Sequence, residues 1–376
     1  MTTETATTDP DPGEPDGTVP ARCQQREPAK TKEEDMRSRF ARIAAVVLLF
    51  GMMPLLPASV PPASAEPVTL NYANFPPAPT FPCVQMERWK TEVEQRTGGK
   101  VKINTFPGGT LLGAKEMMDG VIAGQAEIGC LSMAYQPGRF VVTNATSLPL
   151  GIPNARVGSR VLLDLYEKYQ PEAFSQVKVI TMFTTAPTNI MSKVPVRSLD
   201  DLKGLDLRAS GGAARILAAW GANPVGMPMP ATVEALQKGV VKGLYSSLEV
   251  MKDFKFAETC RYATVTDTVI YPFAVVMNMA AWKALPADVQ KVIDDLKVEQ
   301  AEWTGNYMDG HVKEAVQWSK ATYQVEFIEL SDAQKSEWNA LLNPIVEQYL
   351  QETSAKGLPA QAIVDDIRDL ITRYSG

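Results

Sequence analysis

The residue best placed to do chemistry is Arg208, which the stretch Leu202-Lys203-Gly204-Leu205-Asp206-Leu207-Arg208-Ala209-Ser210-Gly211-Gly212 delivers into a glycine turn. Leu205 and Leu207 alternate with polar neighbours as in a strand, and Gly211-Gly212 lets the backbone turn immediately afterwards. The next residues, 213–220, form a good helix former that stops at Gly221, so Arg208 falls where a strand end faces a crevice. A guanidinium in that position offers planar donors to a ligand carboxylate and stays charged at any working pH. The local pattern alone favours a plainer role, an arginine paired with a neighbouring Asp or Glu.

No catalytic set accompanies it. The single histidine, His311, lies in a long helical stretch among Asp309, Val312 and Lys313 and reads as a surface or packing residue. Gly108-Gly109-Thr110-Leu111-Leu112-Gly113 is followed by Ala114-Lys115, which lacks the lysine and hydroxyl that a phosphate loop needs. Nucleophile elbows, dinucleotide fingerprints and Cys/His metal spacings are missing, and carboxylates fall mostly on helix faces where solvated charge is ordinary. Cys83, Cys130 and Cys260 match no zinc or redox spacing, and Cys130 reads as a small buried hydrophobe. No cofactor and no metal is expected, and enzyme is the weaker class.

The elements that must position Arg208 alternate between strand and helix. Residues 68–73, 101–106 and 128–131 read as strands, with a helix carrying Val84, Trp89 and Val93 and another over 114–123 between them. Residues 74–79, with three prolines, should be a stiff, exposed connection. A helix over 155–169 and a strand over 177–183 follow. The alternation then repeats through the Arg208 strand, a strand over 223–228, a helix over 231–238 and strands over 262–268 and 274–278. Pro286 opens a helical pattern that would span ~50 Å if it continues to Lys320, longer than one lobe, so it should bridge two. Ser331 looks like the cap of a further helix, and residues 359–374 form the last. The expected fold class is α/β, with two lobes, a ligand cleft between them and a long bridging helix. The division this implies is 66–185 with 274–313 for lobe I, and 186–273 with 314–376 for lobe II.

A length of 376 residues with a formal charge of -6 suits two globular lobes and gives no reason to expect nucleic acid. Residues 1–35 are rich in Thr, Asp, Glu and Pro, and are expected to be disordered or untranslated, with Met36 as the start. Arg37, Arg39 and Arg42 form a basic region, Ile43 to Leu56 is apolar, and Ala63-Ser64-Ala65 is a small-residue cleavage signature. Gly51, Pro54 and Pro57 interrupt the apolar run, which is short of the ~20 residues of a membrane span. This reads as a signal peptide over 36–65, cleaved after Ala65, which sends the chain to the periplasm and leaves it outside the membrane.

Three segments carry a family resemblance. Residues 199–208 (Leu-Asp-Asp-Leu-Lys-Gly-Leu-Asp-Leu-Arg), 221–228 (Gly-Ala-Asn-Pro-Val-Gly-Met-Pro) and 234–243 (Glu-Ala-Leu-Gln-Lys-Gly-Val-Val-Lys-Gly) closely resemble the solute-binding proteins of tripartite ATP-independent periplasmic (TRAP) transporters. Pro137-Gly138-Arg139-Phe140 and Val276-Met277-Asn278 resemble the same pattern, and the likeness runs from about residue 68 to at least 300. The resemblance implies a periplasmic protein that closes over a small-molecule carboxylate and delivers it to TRAP membrane permease subunits. It also implies that Arg208 forms the salt bridge to that carboxylate. Ser246 stands where the family usually has asparagine, and no cation stands near Pro187 to Asn189, where sialic-acid and dicarboxylate binders often carry a second arginine. One solute carboxylate is therefore expected. Phe75, Tyr135, Met229 and Phe273 would supply an apolar surround, and Ser246, Ser247 or Asn189 would take a 2-oxo or 2-amino group of an aromatic, even indolic, solute. A binding protein feeding a membrane sensor is the alternative, and an α/β enzyme a weaker one.

Overall fold

The computed structural model describes residues 66–376, so the leader and the cleavage site expected from the sequence lie outside the described residues. The first sheet takes β1 (Val68–Asn74), β2 (Val101–Phe106), β3 (Ile128–Ser132) and β4 (Val177–Thr184). The second takes β5 (Asn189–Ser192), β6 (Asp206–Ala209), β7 (Asn223–Gly226), β8 (Gly243–Ser246) and β9 (Tyr262–Val265). The chain then returns to the first sheet with β10 (Pro272–Asn278) and finally to the second with β11 (Glu326–Glu329), giving the orders β2-β1-β3-β10-β4 and β11-β9-β5-β8-β6-β7. Within the first sheet β1 runs parallel to β2 and β3, while β10 runs antiparallel to β3 and β4. The fold is thus two mixed sheets with helices, linked by chain crossings.

Helices cover both. They are α1 (Phe81–Arg96), α2 (Met117–Ile122), α3 (Ala155–Tyr169), α4 (Gly212–Ala219), α5 (Ala231–Gln237), α6 (Val250–Asp253) and α7 (Met279–Ala284). The long α8 (Ala287–Tyr323) is followed by α9 (Asp332–Ala340), α10 (Asn343–Ser354) and α11 (Ala360–Ser375). At 37 residues α8 is ~55 Å long, and it packs on α1, α3 and β4 of the first side and on α6 of the second. Two polar side chains fix where α3 begins. Asn154 accepts from the Val157 amide at 2.9 Å, and the Asp309 carboxylate of α8 accepts from the amides of Ala155 and Arg156 at 2.8 and 3.1 Å. Facing that point, Gly305 lets α8 meet α3 backbone to backbone, for a Cβ there would stand 2.6 Å from the Arg156 Cα.

Several boundaries differ from the sequence expectation. Only Pro77 to Pro79 of the proline connection are exposed, because Phe75 and Pro76 are buried and the Asn74 amide group ties the strand end to the Pro82 carbonyl at 2.7 Å. The helix α2 starts at Met117 rather than 114, after exposed Lys115 and Glu116 that have no apolar surface to cover. The first sheet claims β10 from Pro272, two residues before the expected crossing. The C-terminal helix α11, expected with the second lobe, lies against α3, where Tyr169 donates to Asp366 at 2.6 Å and Arg156 donates to the Tyr374 carbonyl at 2.9 Å. Trp220 packs at the end of α4, donating to the Trp338 carbonyl at 3.0 Å.

Two of the crossings between the sheets are bonded to each other. Thr185 and Thr188 amides donate to the carbonyls of Tyr271 and Val269 at 3.0 and 2.8 Å, and the Tyr271 amide donates to the Thr185 hydroxyl at 3.0 Å. All three cysteines in the described residues are free and buried. Placing a methyl at the α3–α8 crossing should cost stability without touching the cleft. Gly305→Ala is expected to lower the unfolding free energy by about 1–3 kcal/mol in urea titrations, and an unchanged midpoint would show that the two helices can separate freely.

Candidate functional site

Arg208 is placed by β6, a short strand held between β7 and β8 in parallel register. The side chain is 1% exposed. Its Nε and Nη2 donate to the Met227 carbonyl at 3.0 and 2.8 Å, and Nη2 also donates to the Ser210 hydroxyl at 3.0 Å. Nη1 has no hydrogen-bond partner and Arg208 no ion pair among the described residues, so the plainer expectation of an Asp or Glu partner does not hold. The Tyr271 ring lies 6.0 Å from the guanidinium, with its hydroxyl anchored on the Tyr245 carbonyl at 3.0 Å. After the strand, Gly211 takes φ 54° and brings the turn against the other side of the cleft. A Cβ there would stand 3.0 Å from the Ala134 carbonyl oxygen, so the close approach depends on glycine.

A cavity opens at the guanidinium, with about 460 Å³ of empty space, part of it continuous with solvent. Arg208 is the only cation among its lining residues. The first side supplies a cluster of rings. Phe75 meets Tyr135 edge-on at 5.5 Å and stacks on Phe273 at 6.2 Å, and Phe81 meets Phe273 edge-on at 5.5 Å. The second side supplies Met229 and Ser246 beside Arg208, and the Met229 amide donates to the Tyr135 hydroxyl across the cleft at 3.0 Å.

Six of the eight residues expected from the sequence, Phe75, Tyr135, Arg208, Met229, Ser246 and Phe273, therefore line one cavity. Asn189 and Ser247 do not. The Asn189 side chain organises the loop after β9, accepting from the amides of Thr266 and Asp267 at 2.7 and 3.0 Å and donating to the Asp267 carboxylate at 3.0 Å. Ser247 follows the last residue of β8 and is buried outside the cavity lining, its hydroxyl without a hydrogen-bond partner among the described residues.

Two acids also line the cavity, and no sequence argument singled them out. Glu249 is 1% exposed and Asp253 lies one helical turn further on, at the end of α6. Burial pushes the Glu249 carboxyl up to about 8, and the negative charge of Asp253 adds to the rise, against the opposing pull of the Ser247 hydroxyl and of His311. Asp253 is held from behind by His311 of α8, whose Nε2 lies 2.6 Å from the Asp253 Oδ1. That bond raises the imidazole above its ordinary value, with burial pulling the other way. The Tyr307 ring stacks on the histidine at 5.4 Å. The only available signal was position, since Glu249 stands alone in the apolar run Leu248 to Met251.

A buried guanidinium without an anion, walled by rings and closed from two sides, can hold a small carboxylate. Two mixed sheets meeting over such a cavity define a two-lobed ligand-binding protein. A family model described as DctP, bacterial extracellular solute-binding protein, family 7, matches residues 76–353, and the chain belongs to that family, one of binding proteins for transporters rather than enzymes. Among solved structures, a TRAP periplasmic solute-binding protein from Desulfovibrio salexigens is 56% identical with a TM-score of 0.74, covering 82% of this chain and 97% of that one. It is described as an open complex with the C-terminus of a symmetry mate in its ligand-binding site. A marine metagenome TRAP protein specific for aromatic acid ligands, in complex with metahydroxyphenylacetate, is 28% identical with a TM-score of 0.79, covering 82% of this chain and all of that one, 100%. The C4-dicarboxylate-binding periplasmic protein DctP of Rhodobacter capsulatus is 26% identical over 317 residues, 80% of this chain and 91% of that protein. No helix among the described residues is long and apolar enough to cross a membrane.

The His311–Asp253 pair links stability to pH. Because the folded-state value is raised, its contribution is complete below the ordinary histidine value of about 6.5 and is lost as pH rises through the folded value. His311 is the only histidine in the sequence, so untagged protein should show one imidazole resonance titrating above that ordinary value. The wild-type melting temperature should also fall more steeply as pH rises above about 6.5 than that of His311→Gln. Equal slopes, or a midpoint at or below the ordinary value, would remove the pair from the site's electrostatics.

Proposed function

We propose that this protein captures a small aromatic monocarboxylate in the periplasm, after cleavage of its leader following Ala65, and delivers it to the membrane subunits of a TRAP-type permease. The observation that carries the reading is the Arg208 guanidinium, 1% exposed, with Nη1 unbonded and no carboxylate partner among the described residues. An uncompensated charge in that position is costly to bury, and a solute carboxylate relieves the cost. The free edge is narrower than a full fork, because Met227 already occupies Nε and shares Nη2, so the carboxylate is received mainly at Nη1.

The substrate class follows from what else lines the cavity. Phe75, Phe81, Tyr135 and Phe273 supply rings for an aromatic body, and no second cation is present for a second carboxylate. The aromatic-acid specificity of the marine metagenome protein supports this reading, as does a peptide C-terminus, itself a carboxylate, in the site of the Desulfovibrio protein. The same lack of a second cation argues against the C4-dicarboxylates bound by the Rhodobacter relative.

Calorimetry with benzoate, phenylacetate and succinate tests the class. Aromatic acids should bind and succinate should not, whereas tighter binding of succinate would overturn the reading. Arg208→Ala should keep its fold by circular dichroism and lose about 30- to 1000-fold in affinity, the effect of removing one partner of a buried charge pair. Arg208→Lys should recover little, since an ammonium cannot keep the Met227 contact and reach the solute as well.

A further inference from the structure

We propose that Glu249 is a second polar contact for the solute, giving its carboxyl proton in a hydrogen bond to an uncharged oxygen, oxo or hydroxyl, that the solute carries besides its carboxylate. The proposal rests on the carboxylate role of Arg208 and names a narrower substrate class, the aromatic oxo or hydroxy acids.

Placement comes first. Glu249 lines the same cavity as Arg208, is 1% exposed, and its Oε2 has no hydrogen-bond partner among the described residues. A buried polar atom that the protein leaves unpaired at the wall of a binding cavity is where a ligand group belongs. No ion pair involves Glu249 among the described residues.

Charge comes second. Asp253 and Lys252 share α6 with this wall, and Tyr307, His311 and Glu314 face it from α8. Arg208, Tyr135 and Tyr271 line the same cavity, and the Ser247 hydroxyl lies on the adjoining turn. Of the cations, His311 is taken by Asp253, Lys252 points to Glu314 on the surface, and Arg208 awaits the solute. A charge on Glu249 would therefore stand beside Asp253 in a buried wall, offset only by the Ser247 hydroxyl and by a His311 already bonded to Asp253, which agrees with a carboxyl pushed up to about 8. With Glu249 neutral the site balances, Arg208 against the solute carboxylate and His311 against Asp253. A neutral carboxylic acid in an apolar cavity is a strong directional donor, and it suits an oxygen acceptor better than a solute ammonium, which has only protons to offer it.

Three probes of one shape separate the cases: benzoylformate carries a 2-oxo group, phenylacetate has hydrogens there, and phenylglycine an ammonium. Calorimetry on the untagged, leader-free protein at about pH 6.5 should show benzoylformate binding at least tenfold tighter than phenylacetate, with phenylglycine weakest. The benzoylformate affinity should fall by about tenfold per pH unit once Glu249 ionises, while phenylacetate changes less. Glu249→Gln, whose amide can still donate, should bind benzoylformate a few-fold more weakly and without that pH dependence, and Glu249→Leu should equalise benzoylformate and phenylacetate. Tighter binding of phenylglycine than of benzoylformate, lost in Glu249→Gln, would overturn the proposal by showing an ionised Glu249. Equal affinities for benzoylformate and phenylacetate, flat with pH but dependent on Arg208, would overturn it while leaving the carboxylate reading intact. If none of the three binds the wild type, the carboxylate reading fails and this proposal with it.

Discussion

A guanidinium buried without a counter-charge is the constraint around which the cleft is built. The Arg208 guanidinium is held inside the protein by one backbone carbonyl, one hydroxyl and the face of one ring. These contacts fix its direction without neutralising it. Everything nearby serves that arrangement: β6 runs between β7 and β8 so that the side chain cannot swing out, Gly211 lets the following turn close against the opposite side, and Tyr271 is pinned through its hydroxyl. Among the described residues no carboxylate is paired with the guanidinium.

The second pole is built by different means. Asp253 is tied to α8 through His311, so the short segment bearing Glu249 is referenced to the longest rigid element in the molecule. The acids at this wall differ in their partners, Asp253 bonded to the His311 imidazole and Glu249 left without a cation. Such grading lets a cavity of few polar groups distinguish solutes that differ only in one atom beside the carboxylate.

How much of this was legible in the sequence depended on whether the signal was local. The helix over 155–169 and the bridging helix had strong periodicity and clear boundaries, and Arg208 sat beside glycines whose conformational role is a local matter. The strands β5 and β8 were not anticipated, because each has four residues, all buried, and so no alternation to read. Ser246 and Ser247 are equivalent in the sequence, yet adjacent residues leaving a strand point to opposite faces, and only Ser246 reaches the cavity. Asn189 stood near the place a second cation might occupy, but its amide is consumed in holding a turn. Glu249 went unnoticed because an isolated acid reads as solvated charge until packing shows that it is buried. Within 314–376, β11 pairs in the second sheet and Trp338 meets Trp220, but the return of α11 to α3 was not legible, because nothing in an amphipathic helix tells which side it will pack on.

The paired crossings between the sheets carry a mechanical consequence. Residues 185–188 and 266–271 are cross-bonded into a narrow ribbon, while α8 passes from one side to the other as a stiff strut. A ribbon resists stretching and shear far more than it resists torsion, so the two sides retain essentially one easy coordinate, rotation about the ribbon. The cleft then behaves as a jaw with a single angle rather than as an elastic bag. A solute too bulky for the ring cluster would then prop the whole jaw ajar rather than be wrapped more loosely.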